Sequence, residues 1–225
     1  MSSDLTGRHV VITGARGGLG GAVVEAFAAA GAVCHLPERS SSPPAVPDAH
    51  VIGGVDLTSE EAVRALYAGL PGLWASIHLA GGYAGKPFTE LSLAELRQQL
   101  DINLTTAFLC CREAARKMAG TGGRIVNVSS RAALVPAGGS IAYAVSKAAV
   151  VALTACLAEE ARGQNILVNA VAPSTMDTPA NRSAMPRADQ ARWTRPAEVA
   201  RAILWLASPE NTATSGAVLP VYGNA

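Results

Sequence analysis

The sequence is poor in the features that mark nucleic-acid and membrane proteins. Charged residues are 16% of the 225, with a formal net charge of +1, so there is neither a basic footprint for nucleic acid nor an acidic tail. No run of about 18 apolar residues occurs, and MSSDLTGRHVVITGARG carries no apolar signal core; a cytoplasmic protein without a membrane span is expected. The four cysteines, Cys34, Cys110, Cys111 and Cys156, lie in apolar periodic segments without C-x-x-C spacing. Buried free thiols are therefore expected, and no disulfide framework or zinc site. His9, His35, His50 and His78 are scattered and suggest no metal. Aromatics are only 4%, against 49% hydrophobic residues, many of them Ala and Val. Such small side chains suit close packing of helices on a sheet.

Short apolar runs alternate with helical patterns along the chain. Strands are predicted at 9–13, 32–36, 50–56, 75–81, 124–130, 166–173 and 217–222, and helices near 18–30, 59–70, 92–119, 142–162 and 196–208. The runs lack strict polar alternation, as expected of strands buried on both faces of a parallel sheet. The β-α-β order then predicts a doubly wound, Rossmann-type parallel seven-stranded α/β sheet with helices on both faces, in one domain over 1–225. Thr58 with Glu61, and Ser92 with Glu95, read as capping boxes, and Pro196 as a first helical residue. Ser40–Pro47 (SSSPPAVP) reads as a surface connection.

Between the first strand and first helix stands TGARGGLG, with Gly14, Gly18 and Gly20. Glycines there permit a tight turn and let backbone N–H groups approach a pyrophosphate at the helix N-terminus, which points to a dinucleotide. Glu38, at the end of the second strand, can accept from ribose hydroxyls and repel a 2′-phosphate, favouring NAD. Arg16 and Arg39 pull toward NADP, since a guanidinium pairs with phosphate.

Tyr143 and Lys147 lie one turn apart on a predicted helix, either as ordinary surface residues or as an acid and the cation that tunes it. The strand before them ends in Ser129-Ser130, and Asn103 lies on the long helix before that. This is the face where α/β sheets bind ligands.

TGARGGLG, LAGG, the Asn103 helix, NVSS, YAVSK and VNAVAPSTMDT, at these spacings and in this order, strongly resemble the short-chain dehydrogenase/reductase family across nearly the whole chain. The resemblance implies an NAD(P)-dependent oxidoreductase that moves a hydride between nicotinamide and a carbonyl or secondary alcohol. Tyr143 would be the general acid/base, Ser130 would hold the substrate oxygen, and Lys147 would bind the nicotinamide ribose and lower the tyrosine pKa. Asn103 would hold a relay water; Ser129 is the rival to Ser130. Cofactor contacts are implied for Gly14, Arg16, Gly18, Leu19, Gly20, Glu38, Asp56, Leu57, Ala80, Gly81, Tyr143, Lys147, Pro173 and Thr178, with no metal. Asp56 before a helix also reads as a cap. His78 and Leu79 replace both asparagines of the family's Asn-Asn-Ala-Gly turn, Ser174 replaces a glycine, and Tyr222-Gly223-Asn224 stands in place of Asp-Gly-Gly.

The segment Ser174–Arg195 should cover the substrate. Arg182, Arg187 or Arg192 there would meet an anion and Trp193 a ring, or all would be solvated around a packed hinge. LAGGYAGKP is also similar to dihydropteridine reductases, which keeps pterin reduction as an alternative, alongside a cofactor-binding sensor without turnover. The long apolar helices imply, with the family, a homodimer or homotetramer.

Overall fold

The computed structural model describes residues 4–135 and 137–224; residues 1–3, 136 and 225 of the predicted domain lie outside the described set. Seven strands form one sheet: β1 (His9–Thr13), β2 (Val33–Pro37), β3 (Ala49–Ile52), β4 (Ala75–His78), β5 (Gly123–Val128), β6 (Ile166–Pro173) and β7 (Val218–Val221). Their order is β3-β2-β1-β4-β5-β6-β7, and every neighbouring pair is parallel.

Alternation along the strands divides the core in two. Val10 and Ile12 of β1 meet α1 (Gly20–Ala29) and α8 (Pro196–Ala207) through Val23, Phe27, Ile203 and Leu206. Val11, Ile125 and Val168 face the other way, toward α2 (Glu60–Ala68) and α4 (Thr106–Met118), through Tyr67, Leu109 and Met118. Burying a side chain of this size stabilises the fold by roughly 1.5–3 kcal/mol. The predicted architecture is therefore the observed one.

Boundaries differ where a backbone turn or a side-chain hydrogen bond interrupts the regular pattern. The predicted strand 50–56 stops at Ile52, because Gly54 takes a positive φ of 75° and turns the chain out of the sheet. The predicted helix 92–119 is three pieces: α3 (Leu93–Leu100), a π-helical turn over Asp101–Thr105, and α4. The cap of α2 is Ser59, not Thr58: Ser59 accepts from the Ala62 N–H, while the Thr58 hydroxyl donates to Asp56 at 2.8 Å. The Ser92–Glu95 capping box and Pro196 at the start of α8 are present as predicted. Two short helices, α5 (Arg131–Leu134) and α7 (Pro179–Ala184), carry no strong sequence signal. Between them runs α6 (Ile141–Glu160).

Cys34, Cys110 and Cys111 are buried thiols, but Cys156 is exposed on α6, contrary to expectation. Nor are the histidines all scattered in space. His9, His35 and His50 line up across β1, β2 and β3 with successive ring centroids 5.2 Å apart.

Candidate active site

The carboxyl ends of β1, β4, β5 and β6 open on one cavity of about 230 Å³, lined among others by Gly14, Gly18, Gly20, Gly81, Ser130, Tyr143, Lys147 and Pro173. The parallel sheet delivers the loops after all four strands to this edge, so residues far apart in sequence converge there.

The glycine loop forms one wall. Gly14 has φ 66°, and a Cβ on it would stand 2.7 Å from the Ala80 N–H, so only glycine lets β1 and the turn after β4 meet. The Thr13 hydroxyl holds that turn by accepting from the Ala80 N–H at 3.2 Å. Leu19 and Gly20 are buried at the start of α1. Thr178, buried, caps α7 by accepting from the Asn181 N–H, and its methyl lies against Gly18. Pro173 ends β6, and the Ser174 N–H donates to the Val221 carbonyl.

Glu38 directly follows β2, its side chain only 16% exposed. Both arginines that weighed toward a 2′-phosphate are engaged by carboxylates. Arg16 pairs with Glu38 at 3.4 Å and donates to the Pro44 carbonyl, and Arg39 pairs with Asp56 at 3.7 Å. Asp56 also accepts from the backbone and hydroxyl of Thr58, which hold its carboxyl below the usual range, so it fixes the turn before α2. Leu57 follows in that turn, half-buried.

The other wall is chemical. Ser130 caps α5, its Oγ accepting from the Ala132 N–H, and lines the cavity. Ser129 is buried with its hydroxyl donating to the Lys147 carbonyl at 2.9 Å, a bond that ties β5 to α6. The two serines thus have different tasks. The Lys147 ammonium donates to the Val128 carbonyl at 2.9 Å, and burial pushes its pKa down to about 8.

Tyr143 is pushed the other way. Burial raises its phenol above the ordinary range, against a lowering hydrogen bond with Ser130, and Tyr83 adds to the rise. The resemblance implied a phenol brought down by Lys147. Among the chain's own groups, burial wins.

Asn103 sits in the π-helical turn, buried, and its amide joins both walls. Its Oδ1 accepts from the Gly82 N–H at 3.1 Å, and its Nδ2 donates to the Gly82 carbonyl at 3.0 Å and to Ser146 Oγ at 3.1 Å. Ser146 in turn donates to the Tyr143 carbonyl at 2.8 Å. A Cβ on Gly81 would lie 2.5 Å from Asn103 Oδ1 and 3.2 Å from Lys147 Nζ, so the backbone approach needs glycine. The one-residue widening of the π turn aims this amide inward, a common use of such turns at functional sites.

Two features escaped the sequence reading. Tyr83 lines the cavity with its ring edge-on to Tyr143, centroids 5.0 Å apart. His78 is fully buried in a polar chain through Ser76 and Asn127. Of the covering segment, Arg182 is tied to Asp177 and Arg192 to the Asn224 carbonyl; Arg187 is exposed and Trp193 half-buried. Among the described residues no group of three or more His, Cys, Asp or Glu side chains is placed to hold a metal.

The arrangement fits a dinucleotide: bare backbone along the Gly14–Gly20 loop shares one cavity with a serine, a phenol and an ammonium, and an acid stands at the end of the neighbouring strand β2. The comparisons agree with it. A family model described as short chain dehydrogenase matches residues 8–189. Cis-4-hydroxycyclohexanecarboxylate dehydrogenase of Sinomonas cyclohexanicum is 35% identical, over 99% of this chain and 98% of its own. A 2,5-dichloro-2,5-cyclohexadiene-1,4-diol dehydrogenase of Sphingobium indicum is 34% identical, over 98% of both. A solved structure titled a short chain dehydrogenase/reductase family protein superimposes with a TM-score of 0.90 at 28% identity, over 98% of each chain. With the glycine loop, the Ser-Tyr-Lys wall and these matches together, the chain belongs to the short-chain dehydrogenase/reductase family of oxidoreductases.

Proposed function

We propose that the protein interconverts a cyclic secondary alcohol and its ketone with NAD as the cofactor. The convergence of Ser130, Tyr143 and Lys147 in the glycine-lined cavity carries this reading. A bound nicotinamide supplies or takes up the hydride.

The chain's own residues do the rest. Gly14, Gly18, Leu19 and Gly20 would hold the pyrophosphate, Asp56, Leu57 and Glu38 the adenosine end, and Ala80, Gly81, Pro173 and Thr178 the nicotinamide end. Ser130 positions the reacting oxygen. Tyr143 takes the proton from that oxygen in the oxidative direction and returns it in the reductive one. Lys147 presents its ammonium to the nicotinamide ribose and opposes the effect of burial on the phenol. Asn103 locks the backbones of Gly82 and Tyr143 in register.

NAD is preferred on charge. Glu38 is the largely buried acid at the ribose end, and Arg16 and Arg39 are both paired with carboxylates. Two relatives named for ring alcohols support the ring alcohol, as does the cavity lining, in which Lys147 is the one charged side chain among the described residues.

The test is separate titration with NADH and NADPH, followed by quenching of the three tryptophans, and then assay with cyclohexanol and cyclohexanone. Tight NADH, weak NADPH and turnover of the ring alcohol are expected, with Glu38→Ala shifting the ratio toward NADPH. An unchanged ratio in that variant removes Glu38 as the selector, and binding of neither cofactor overturns the reading.

A further inference from the structure

Resting on that reading, we infer that Tyr83 is the specificity-determining wall of the substrate site and selects an uncharged alicyclic ring around the reacting carbon. Its place beside the chemistry is direct. The Tyr83 and Tyr143 rings meet at 74° with centroids 5.0 Å apart, and both line the cavity with Ser130. An edge-to-face pair at this separation has a preferred geometry, so the two rings orient each other.

The backbone that presents Tyr83 is built, not loose. Gly82, its immediate neighbour, is gripped through both N–H and C=O by the Asn103 amide, the same amide that reaches Tyr143 through Ser146. On the other side, Gly85 leaves room for the Tyr83 hydroxyl, since a Cβ there would stand 2.4 Å from it. Lys86 then pairs as a β-bridge with Ser140, the residue before α6. Tyr83 is therefore fixed between two ties to the segment that carries Tyr143.

Despite those ties Tyr83 is 69% exposed. A large aromatic face, rigidly held and left open beside an acid/base group, favours a ligand that covers it. The lining that shares the cavity with it combines Leu79, Val128, Pro173, Met176 and glycines with the hydroxyls of the serines and Tyr143, and among the described residues Lys147 is its one charged side chain. Such a wall gains free energy in proportion to the apolar area that covers it, so a six-membered ring gains more than the smaller open chain of 2-butanol.

The experiment compares cyclohexanol with 2-butanol in wild type, Tyr83→Phe and Tyr83→Ala. The expected result is a roughly tenfold fall in the cyclohexanol-to-2-butanol ratio of kcat/KM for Tyr83→Ala, carried by KM, with Tyr83→Phe keeping the wild-type ratio. A ratio that does not move in Tyr83→Ala overturns the inference. Saturation-transfer NMR of cyclohexanol on the NAD-loaded protein separates this failure from failure of the proposed reaction. If wild type turns over neither alcohol but the ring signal is lost in Tyr83→Ala, the wall stands and the reaction assignment falls. If the ring signal is the same in both proteins, or absent in both, Tyr83 does not select the ring.

Discussion

At Tyr143 two effects oppose each other, and the chemistry depends on which prevails. Burial makes the phenol hard to ionise while the Ser130 hydrogen bond eases it, so oxidation needs positive charge nearby, and among the described residues Lys147 is the one cation in the lining. Tyr143→Phe keeps the ring and its contact with Tyr83 but removes the proton carrier. Turnover is expected to fall about 10³-fold or more with the Kd for NADH within a few-fold, by steady-state assay and fluorescence titration; near-normal turnover would mean another group carries the proton. Lys147 gives a second prediction. Its folded pKa of about 8 lies below the ordinary 10.5, so the unfolded chain holds the extra proton between these values. Unfolding free energy therefore rises with pH across that window relative to Lys147→Met, by about 3 kcal/mol in full, whereas below about 8 the whole burial cost is present. Urea denaturation of both proteins from pH 7.5 to 10 checks the sign, and a flat difference would show the ammonium is hydrated. The residue identities were legible because Ser130, Tyr143 and Lys147 keep fixed intervals across one strand end and one helix turn. The direction of the Tyr143 shift was not, since it depends on how deeply the cavity buries the ring. The α2 cap was missed for a similar reason: Asp56 captures the Thr58 hydroxyl and leaves the cap to Ser59.

Elements are joined here by side chains that no periodicity reveals. The break between α3 and α4 falls in DINLT, whose apolar pattern continues without a glycine or proline, so one helix was the natural reading. What distinguishes the turn is Asn103, whose partners Gly82 and Ser146 lie on other parts of the chain. His78 works likewise between β4, β5 and α6. The Asn127 amide donates to Thr154 Oγ1 at 2.9 Å, so its carbonyl accepts from His78 Nδ1 at 2.8 Å. The other imidazole nitrogen is then the acceptor for Ser76 at 2.8 Å, and Ser76 accepts from Tyr67 at 2.7 Å. A one-way chain of donors thus runs from α2 through the sheet to the helix that carries Tyr143, and it requires a neutral imidazole. Burial supplies that by pushing the His78 pKa down to about 4. Replacing the ring by Leu strands the Ser76 hydroxyl and the Asn127 carbonyl, so His78→Leu is expected to cost roughly 2–4 kcal/mol in urea unfolding, and His78→Asn less. Because the unfolded histidine titrates near 6.5, the wild-type fold loses stability as pH falls from 6.5 toward 4, and His78→Asn should be flatter there. Equal losses for Leu and Asn would mean shape, not hydrogen bonding, holds this junction.

For the whole molecule, the doubly wound sheet was legible because its strands are continuous apolar runs buried on both faces, whereas the outer faces of its helices were not. Among the described residues α6 is the one helix long and apolar enough to cross a membrane. Its inward face, however, carries Ser146, Lys147 and Thr154, all buried and hydrogen-bonded to α6 itself or to β5 and its neighbours. The apolar excess lies on the other side, where Val145, Ala148, Ala152, Ala155 and Cys156 form an exposed stripe at helical spacing, with Phe108 exposed on α4. That arrangement explains why Cys156 is exposed although its segment reads as core: the polar residues of α6 lie on its buried face and small apolar ones on its exposed face, so hydrophobic periodicity does not identify the inward side. Small side chains along such a stripe allow close approach of a second helix, and a two-fold axis would bring α6 against its own copy and bury the stripe twice over. The protein is therefore proposed to be a homodimer or homotetramer joined through α4 and α6. Light scattering at micromolar concentration should give a multiple of the 22.9 kDa chain mass, and Ala152→Glu, which places a charge in the middle of the stripe, should reduce it to one chain. Because Tyr143 and Lys147 ride on the same helix, separation of the subunits is expected to lower turnover as well. A wild-type mass of one chain, or an oligomer indifferent to Ala152→Glu, would leave the stripe solvent-facing and α6 positioned by the sheet alone.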